Sequence, residues 1–527
     1  MKKPLLPALA LSLAGALSAA PASAFCGFYV SGADASLYNN ATEVVLMRDG
    51  VRTVLSMENN YQGPPQDFAL VVPVPVVLQK ENVKTLPAKV FERVDHLAAP
   101  RLVEYWEQDP CRPPMPMEVM AAAPTEMVEG ESDSAPPRHY GVKIEAKFSV
   151  GEYDILILSA SDSMGLDAFL RHAGYKIPAG AEPYLRPYVT NGSKFFVAKV
   201  NVGKVHFENG QAMLSPLRFH YDSESFSLPV RLGLINAGGA QDLIIHILAR
   251  ARHEVANYAN IAIPTNLDVG ESVKGSFATF YAALFDRTLA LHPHAVVTEY
   301  SWDAGSCDPC PEPPLEPSEL ATLGADALPA VQDAVRSGEV PPDFASNLTL
   351  TRLHVRYGKD SLGEDLVFRA APPIEGGRGV PGPKGELPHG VQSTGSNNFQ
   401  GRYVIRHPWT GPVTCDQPQR GIWGGPPEPS TGTTLKVATN TAFAPRGANL
   451  ASFLAGPAPE LDGPGNPLPG GPFQAPSWPD IPVTRGGGCA GCSLADPEGA
   501  LPTGILSLAA LAAALGRRSR RAASRRR

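Results

Sequence analysis

The chain has 527 residues, 43% of them hydrophobic and 18% charged, with 45 Lys and Arg against 52 Asp and Glu for a formal net charge of −7. That length is ample for two or more ordinary cores. An acidic balance excludes a nucleic-acid binder, which needs a basic footprint.

Lys2 and Lys3 precede an apolar stretch from Leu5 to Ala20, then Pro21 and the small-residue pattern Ala22-Ser23-Ala24. This is the layout of a secretory signal peptide over 1–24, cut after Ala24, with the mature chain beginning at Phe25. Cys26 invites a lipoprotein reading, but a lipobox carries a small residue before its cysteine and Phe25 stands there. Removing Lys2, Lys3, seven tail arginines, Asp496 and Glu498 leaves 36 basic and 50 acidic residues, a net of −14 over 25–488.

The body reads as β-rich. Val44 to Met47 and Val51 to Met57 flank Arg48-Asp49-Gly50, an Asp-Gly hairpin signal. Phe68 to Val77 is a buried-strand run whose Pro73 and Pro75 suggest a sheet edge or a bulge. Gly141 to Val150 and Tyr153 to Leu158 form a second hairpin through Gly151. Asp162 is placed to cap a helix over 163–172, with Leu166, Phe169 and Leu170 on one face and Gly174 at its end. Further strands are expected at 194–202, 230–236, 243–249, 350–356, 366–369 and 403–406.

Three stretches break this pattern. Residues 112–138 are rich in Pro, Met and Glu and 375–398 in Gly and Pro, and both read as long excursions from a folded body. Over 455–488, 17 of 34 residues are Gly or Pro, a composition that cannot bury enough apolar surface to offset its ordering entropy and so reads as a flexible stalk.

Words recur between the halves. Gln66-Asp67-Phe68, Glu81-Asn82-Val83-Lys84, Phe91-Glu92-Arg93, Glu104-Tyr105-Trp106 and Asp109-Pro110-Cys111 are followed, in the same order, by Gln241-Asp242-Leu243, Glu271-Ser272-Val273-Lys274, Phe285-Asp286-Arg287, Glu299-Tyr300 with Trp302, and Asp308-Pro309-Cys310. An old duplication predicts two similar β-rich lobes, 25–222 and 223–425, with an irregular extension over 426–454. Hairpins should then match at Gly151-Glu152 and Gly363-Glu364, and Tyr105 and Tyr300 should hold equivalent strand positions.

Cys26, Cys111, Cys307, Cys310 and Cys415 are disulfide candidates, because an exported chain meets an oxidising compartment. Cys307-Asp308-Pro309-Cys310 has redox or half-zinc spacing. Pro311, Pro313 and Pro314 follow where a redox motif would open a helix, and no second ligand pair appears, so the motif reads as structural.

The strand 68–77 with its prolines, Phe148-Ser149-Val150-Gly151-Glu152-Tyr153-Asp154-Ile155, Gly165-Leu166 with Phe169-Leu170, and Gly174-Tyr175-Lys176-Ile177-Pro178 resemble the bacterial domain of unknown function 2330 family over most of 26–425. These motifs are structural in kind, and the resemblance implies no activity and no cofactor. Catalytic signatures are missing as well. His253-Glu254 begins a zincin motif, but Asn257 stands where the second histidine belongs. His292-Pro293-His294 lacks a third ligand, and there is no Gly-x-Ser-x-Gly element or phosphate loop. Tyr105, Trp106, Tyr300 and Trp302 read as core or inter-lobe packing.

The last 40 residues carry Gly488-Cys489-Ala490-Gly491-Cys492-Ser493, an apolar helix over 501–515 and an arginine cluster that begins at Arg517 and Arg518, in the order of a membrane sorting signal. This segment resembles the MYXO-CTERM tail of myxobacterial surface proteins. The resemblance implies a partner, an intramembrane processing protease of the myxosortase kind that acts at an essential cysteine, followed by attachment to membrane lipid. Gly491-Cys492-Ser493 matches best and puts that role on Cys492, with Cys489 as the alternative. The resulting expectation is an α+β, β-rich exported ectodomain, held transiently in the inner membrane by its C-terminal helix and then displayed on the outer membrane or cell surface. It would serve as a structural or binding component, with a secreted hydrolase assembled from distant residues as the rival. Convergence of His206, His220, His246 and Asp222 in one pocket would favour that rival.

Overall fold

The computed structural model describes residues 28–29, 41–58, 69–111, 141–175, 177, 180–208, 211–235, 240–332, 340–358, 361–379, 387–426, 435–439, 441, 444–456, 458, 461 and 466–468. Strand outweighs helix, 37% to 24%, which makes the chain a β-rich α+β protein. Ala24, Cys26, the 112–138 excursion, Cys489, Cys492, the 501–515 segment, Arg517 and Arg518 lie outside the described residues. No helix among the described residues is long and apolar enough to cross a membrane.

The expected hairpin joins β1 (Ala41–Asp49) to β2 (Arg52–Met57), with Asp49 opposite Arg52. Its loop is Gly50-Val51, one residue later than an Asp-Gly turn, and Gly50 adopts φ +53°, open to glycine without a Cβ penalty. Then come β3 (Ala69–Val74), β4 (Val83–Thr85), α1 (Lys89–Ala98), β5 (Arg101–Glu107), β6 (Val142–Val150) and β7 (Tyr153–Ala160). Helix α2 (Ser163–His172) follows, and the Asp162 side chain accepts a hydrogen bond from the Gly165 amide at 2.6 Å to cap it. After α2 the chain forms α3 (Glu182–Thr190), β8 (Lys194–Val200) and β9 (Leu217–Asp222). The later elements are β10 (Gln241–Ala249), β11 (Asn260–Ala262), α4 (Phe277–Leu291), β12 (Val296–Asp303), α5 (Pro317–Leu323), β13 (Thr349–Tyr357), β14 (Leu366–Ala370), β15 (Asn398–Gln400) and β16 (Arg402–His407).

The segment 230–236 is a 3-10 turn over Arg231–Ile235, not a strand. The Asp365 carboxylate takes the amides of Val230 and Arg231 at 3.0 and 3.1 Å, so they cannot join a ladder. Helix α4 gives little periodic signal because Phe280, Tyr281, Ala282, Ala283, Leu284 and Phe285 are all buried, so no polar face marks it.

The two expected lobes are not separate bodies. One twelve-stranded sheet contains the run β15-β12-β13-β10-β1-β2-β9-β4, which crosses the boundary expected at 222/223. The crossing is the parallel pair β1–β10, with Glu43 opposite Ile244 and Val45 opposite His246. All nine residues of β10 are buried, so that strand must have neighbours on both edges and layers on both faces.

The strand orders of the two halves also differ, which overturns the duplication. β6 and β7 form a hairpin through Gly151-Glu152. β13 instead pairs with β10 and β12, and β14 pairs with Ser227–Leu228 and His253–Val255, so Gly363-Glu364 is no hairpin. Tyr105 lies on β5, parallel to β16 in another sheet, whereas Tyr300 lies within the central sheet.

One face of the central sheet packs Val44, Leu46, Leu55, Ile245 and Val355 against Leu70, Val72, Ile155 and Phe196 of a five-stranded sheet containing β3, β8, β7 and β6. Helices α2 and α3 cover that sheet's other side through Leu166, Phe169 and Leu185. The opposite face of the central sheet carries two cores. One forms under α1 and α5 with Met47, Phe91, Leu248, Trp302 and Leu320, and the other under α4 with Phe280, Leu284, Val297 and Tyr403.

The Gly/Pro-rich stretch packs further than expected. Leu461 and Leu468 bury in the α4 core, the Arg287 guanidinium donates to the Leu461 carbonyl at 2.7 Å, and Asn466–Pro467 pairs with β11. Average composition hides these two leucines. Within 375–398, the end of Ile374–Gly376 and Gln392–Ser393 form a ribbon on the sheet rather than a bare excursion.

Cys307 is bonded to Cys310, and Cys111 to Cys415 with Cα atoms 5.6 Å apart across a sequence separation of 304. Unfolded, unreduced protein should therefore leave these four cysteines unreactive in a thiol titration. Replacing Cys111 and Cys415 together by Ser should cost about 2–4 kcal/mol in denaturant unfolding, because so long a loop is released in the unfolded chain.

Candidate functional site

Between those two cores lies a row of buried charge. On β10, Asp242 and His246 share the face of Ile244 and Leu248, while β13 presents Arg356 opposite Asp242, His354 opposite Ile244 and Arg352 opposite His246. On β12 the register slips between Thr298 and Tyr300, which makes Glu299 the extra residue of a β-bulge. Alternation from Val297, opposite His354, sets Glu299 on the charged face, and the bulge brings Tyr300, opposite Arg352, onto that same face. Glu299 is fully buried and reaches both neighbours on β13, accepting from Arg352 Nε at 2.6 Å and contacting His354 Nδ1 at 2.7 Å.

The row continues in both directions. Arg352 also donates to Asp95 on α1 and, at 3.3 Å, to Thr441. Arg356 forks onto Asp242 at 2.8 and 3.2 Å and contacts Asp286 of α4 at 2.5 Å, and Arg446 donates to Asp242 from the far side. Phe285 stacks on the His354 ring with centroids 3.7 Å apart.

Burial alone would raise the Glu299 pKa, but His354 and Arg352 bring it down to about 2. Burial would likewise raise Asp242, and His354 and Arg356 hold it well below the usual carboxylate range. Burial opposes the His354 charge, yet the Glu299 charge and hydrogen bond, with the Asp242 carboxylate 3.7 Å from Nε2, carry its pKa above 6.5. The imidazolium is the charged link between two carboxylates.

At the β1 end the balance reverses. Glu43 Oε1 lies 3.2 Å from His246 Nδ1, and the Glu58 amide donates to the Glu43 carbonyl at 3.1 Å, setting two glutamates across from each other at the hairpin's open end. Burial and then the Asp95 charge push Glu43 well above its ordinary value, and burial followed by Glu43, Glu92 and Asp95 pushes Glu58 up to about 8. Burial and the Arg352 charge bring His246 down to about 3, which keeps it neutral. One donor atom each from Glu43, Asp95 and His246 lies within 4.8 Å of the others. Glu104, Glu271 and His407 make a second such trio, but there Lys274 bonds both glutamates, with its ammonium 2.8 Å from Glu271, and supplies the cation itself.

His206, His220, His246 and Asp222 do not converge. His206 is exposed on the two-stranded ribbon His206–Glu208/Gln211–Met213. His220 and Asp222 lie on β9, separated from β10 by β1 and β2, and Asp222 pairs with Arg52 at 2.6 Å. Glu254 is engaged by Arg252 and Arg369, in keeping with the failed zincin motif. Tyr300 and Trp302 are core residues, whereas Tyr105 lies under the Arg402 guanidinium and Trp106 stacks on His407. Sequence reasoning missed Glu43, Asp95, Asp242, Glu299, Arg352 and His354. Asp242 and His246 inside the apolar run of β10 were the available signal.

A family model described as an uncharacterized protein conserved in bacteria (DUF2330) matches residues 20–369. No curated protein and no solved structure significantly matches the chain.

Arg352→Met should destabilise the fold by about 3–5 kcal/mol in denaturant unfolding, since Asp95 and Glu299 would stay buried without their counter-charge. His354→Gln should show a pH signature. A folded pKa above 6.5 means that the imidazolium's contribution is complete below that value and fades as pH rises through the folded pKa. The variant's deficit should therefore be larger at about pH 5.5 than at about pH 9.

Proposed function

This chain belongs to the domain of unknown function 2330 family, and from that premise we propose that it is an exported, envelope-anchored structural or binding component of the cell surface. Its signal peptide is cut after Ala24. The 501–515 segment holds the precursor in the inner membrane against the stop at Arg517 and Arg518, a myxosortase-like protease acts at Cys492, and the mature chain passes to membrane lipid at the outer membrane or surface.

The observation that carries the binding or structural reading is the way the interior charges are spent. Arg352, His354 and Arg356 are each satisfied by carboxylates from other elements, which ties strands and helices together instead of presenting groups to a substrate. The scatter of His206, His220, His246 and Asp222 weighs against the rival hydrolase. Two disulfides suit export.

Cell fractionation with mass spectrometry of the mature C-terminus tests the anchoring. Cys492→Ala should abolish C-terminal maturation and leave full-length precursor in the inner membrane. Normal display of that variant, with Cys489→Ala failing in its place, would move the processing role to Cys489; normal display of both would end the cysteine mechanism.

A further inference from the structure

Glu43 comes from β1, Asp95 from α1 and His246 from β10, elements that the fold alone brings together. We propose that these three side chains form a structural site for one divalent transition ion of the zinc class. This goes beyond the anchoring reading and stands or falls separately from it.

Geometry comes first. Three donor atoms within 4.8 Å of one another need only a small side-chain adjustment to surround one ion at the usual zinc–ligand lengths of about 2.0–2.2 Å. His246 is fully buried, and its Nδ1 and the buried Glu43 Oε1 make no hydrogen bond although they face each other at 3.2 Å. Buried polar atoms ordinarily find partners, and an ion satisfies both at once. The Glu43 side chain is 17% exposed, so the site lies within reach of solvent.

Charge comes second. Arg352 is shared by Asp95 and Glu299, and among the described residues no Lys or Arg pairs with Glu43 or Glu58. One imidazole nitrogen with two carboxylate oxygens suits zinc better than calcium, which takes all-oxygen sets. Ligation at Nδ1 puts the imidazole proton on Nε2, so the 3.3 Å contact from Arg352 to Nε2 is given up while Arg352 keeps Asp95 and Glu299.

The test uses the full-length exported protein with both disulfides intact, free thiols alkylated and metal stripped by chelator. Equilibrium dialysis against zinc chloride should give one zinc per chain with a raised Tm, and cobalt(II) loading should give a protein-bound visible spectrum. Glu43→Gln should lose the stoichiometric zinc and the cobalt spectrum. Its metal-free Tm should equal or exceed that of the parent, because the amide keeps the side chain's shape and removes a negative charge packed beside Asp95, so loss of binding would not reflect unfolding. His206→Ala, on the exposed ribbon, should keep both signals. Absence of stoichiometric zinc in the parent, zinc retained by Glu43→Gln, loss of zinc in His206→Ala, or calcium bound in preference to zinc would each overturn the proposal.

Discussion

The guanidinium of Arg352 is the contact on which the molecule's interior depends. It stands on β13 in the centre of the largest sheet and holds Glu299 of β12, Asp95 of α1 and Thr441 of the C-terminal extension. These partners lie 53, 257 and 89 residues away in sequence, so one side chain joins segments that loop entropy would otherwise keep apart. A buried arginine carries a large desolvation cost, and only complete pairing makes it tolerable. The Glu299 carboxylate completes it from the neighbouring strand: Val297 lies opposite His354, so alternation along β12 carries Glu299 onto the face of Arg352 and His354.

Arg356 repeats the arrangement one step along β13. It draws Asp242 of β10 and Asp286 of α4 together, while Arg446 approaches Asp242 from the extension. The same extension adds Leu435–Val437 to β5, and the Gly/Pro-rich stretch after it adds Leu461 and Leu468 to the α4 core. Residues beyond the expected lobes are therefore structural parts of the folded body. A family match ending at residue 369 stops short of Thr441 and Arg446, both of which touch the buried charges.

Local chemistry was readable, and long-range pairing was not. Asp162, the apolar spacing of Leu166, Phe169 and Leu170, and Gly174 at φ +84° settle α2 from neighbouring residues alone. Gly50 and Gly151, both at φ +53°, mark hairpins for the same reason. The alternation Arg352, His354, Arg356 has the pattern of a solvent-facing edge of a strand, and nothing local says that α1 and α4 cover it. The bulge is set by register with β13, which no window of β12 reveals. The recurring words misled because short motifs report local turns and strand edges, whereas topology is decided by which apolar strand lies beside which. Here the parallel β1–β10 pair joins the two halves in one sheet.

The row of charge is not symmetric, and its asymmetry locates the chemistry. From Glu299 to Arg446, each carboxylate meets at least one cation, and Glu299 and Asp242 sit low in pKa as a result. From Arg352 to Glu58, Asp95 meets the Arg352 guanidinium, and the Glu43 carboxylate faces His246 at 3.2 Å with no Lys or Arg pairing it among the described residues. Packing does not require this end to be acidic, since Val45 and Met47 continue the same strand as ordinary core. A carboxylate and an imidazole retained beside that core, with their inner atoms unbonded, cost stability unless something positive completes them. The paired end can be understood from folding alone; the unpaired end calls for a cation.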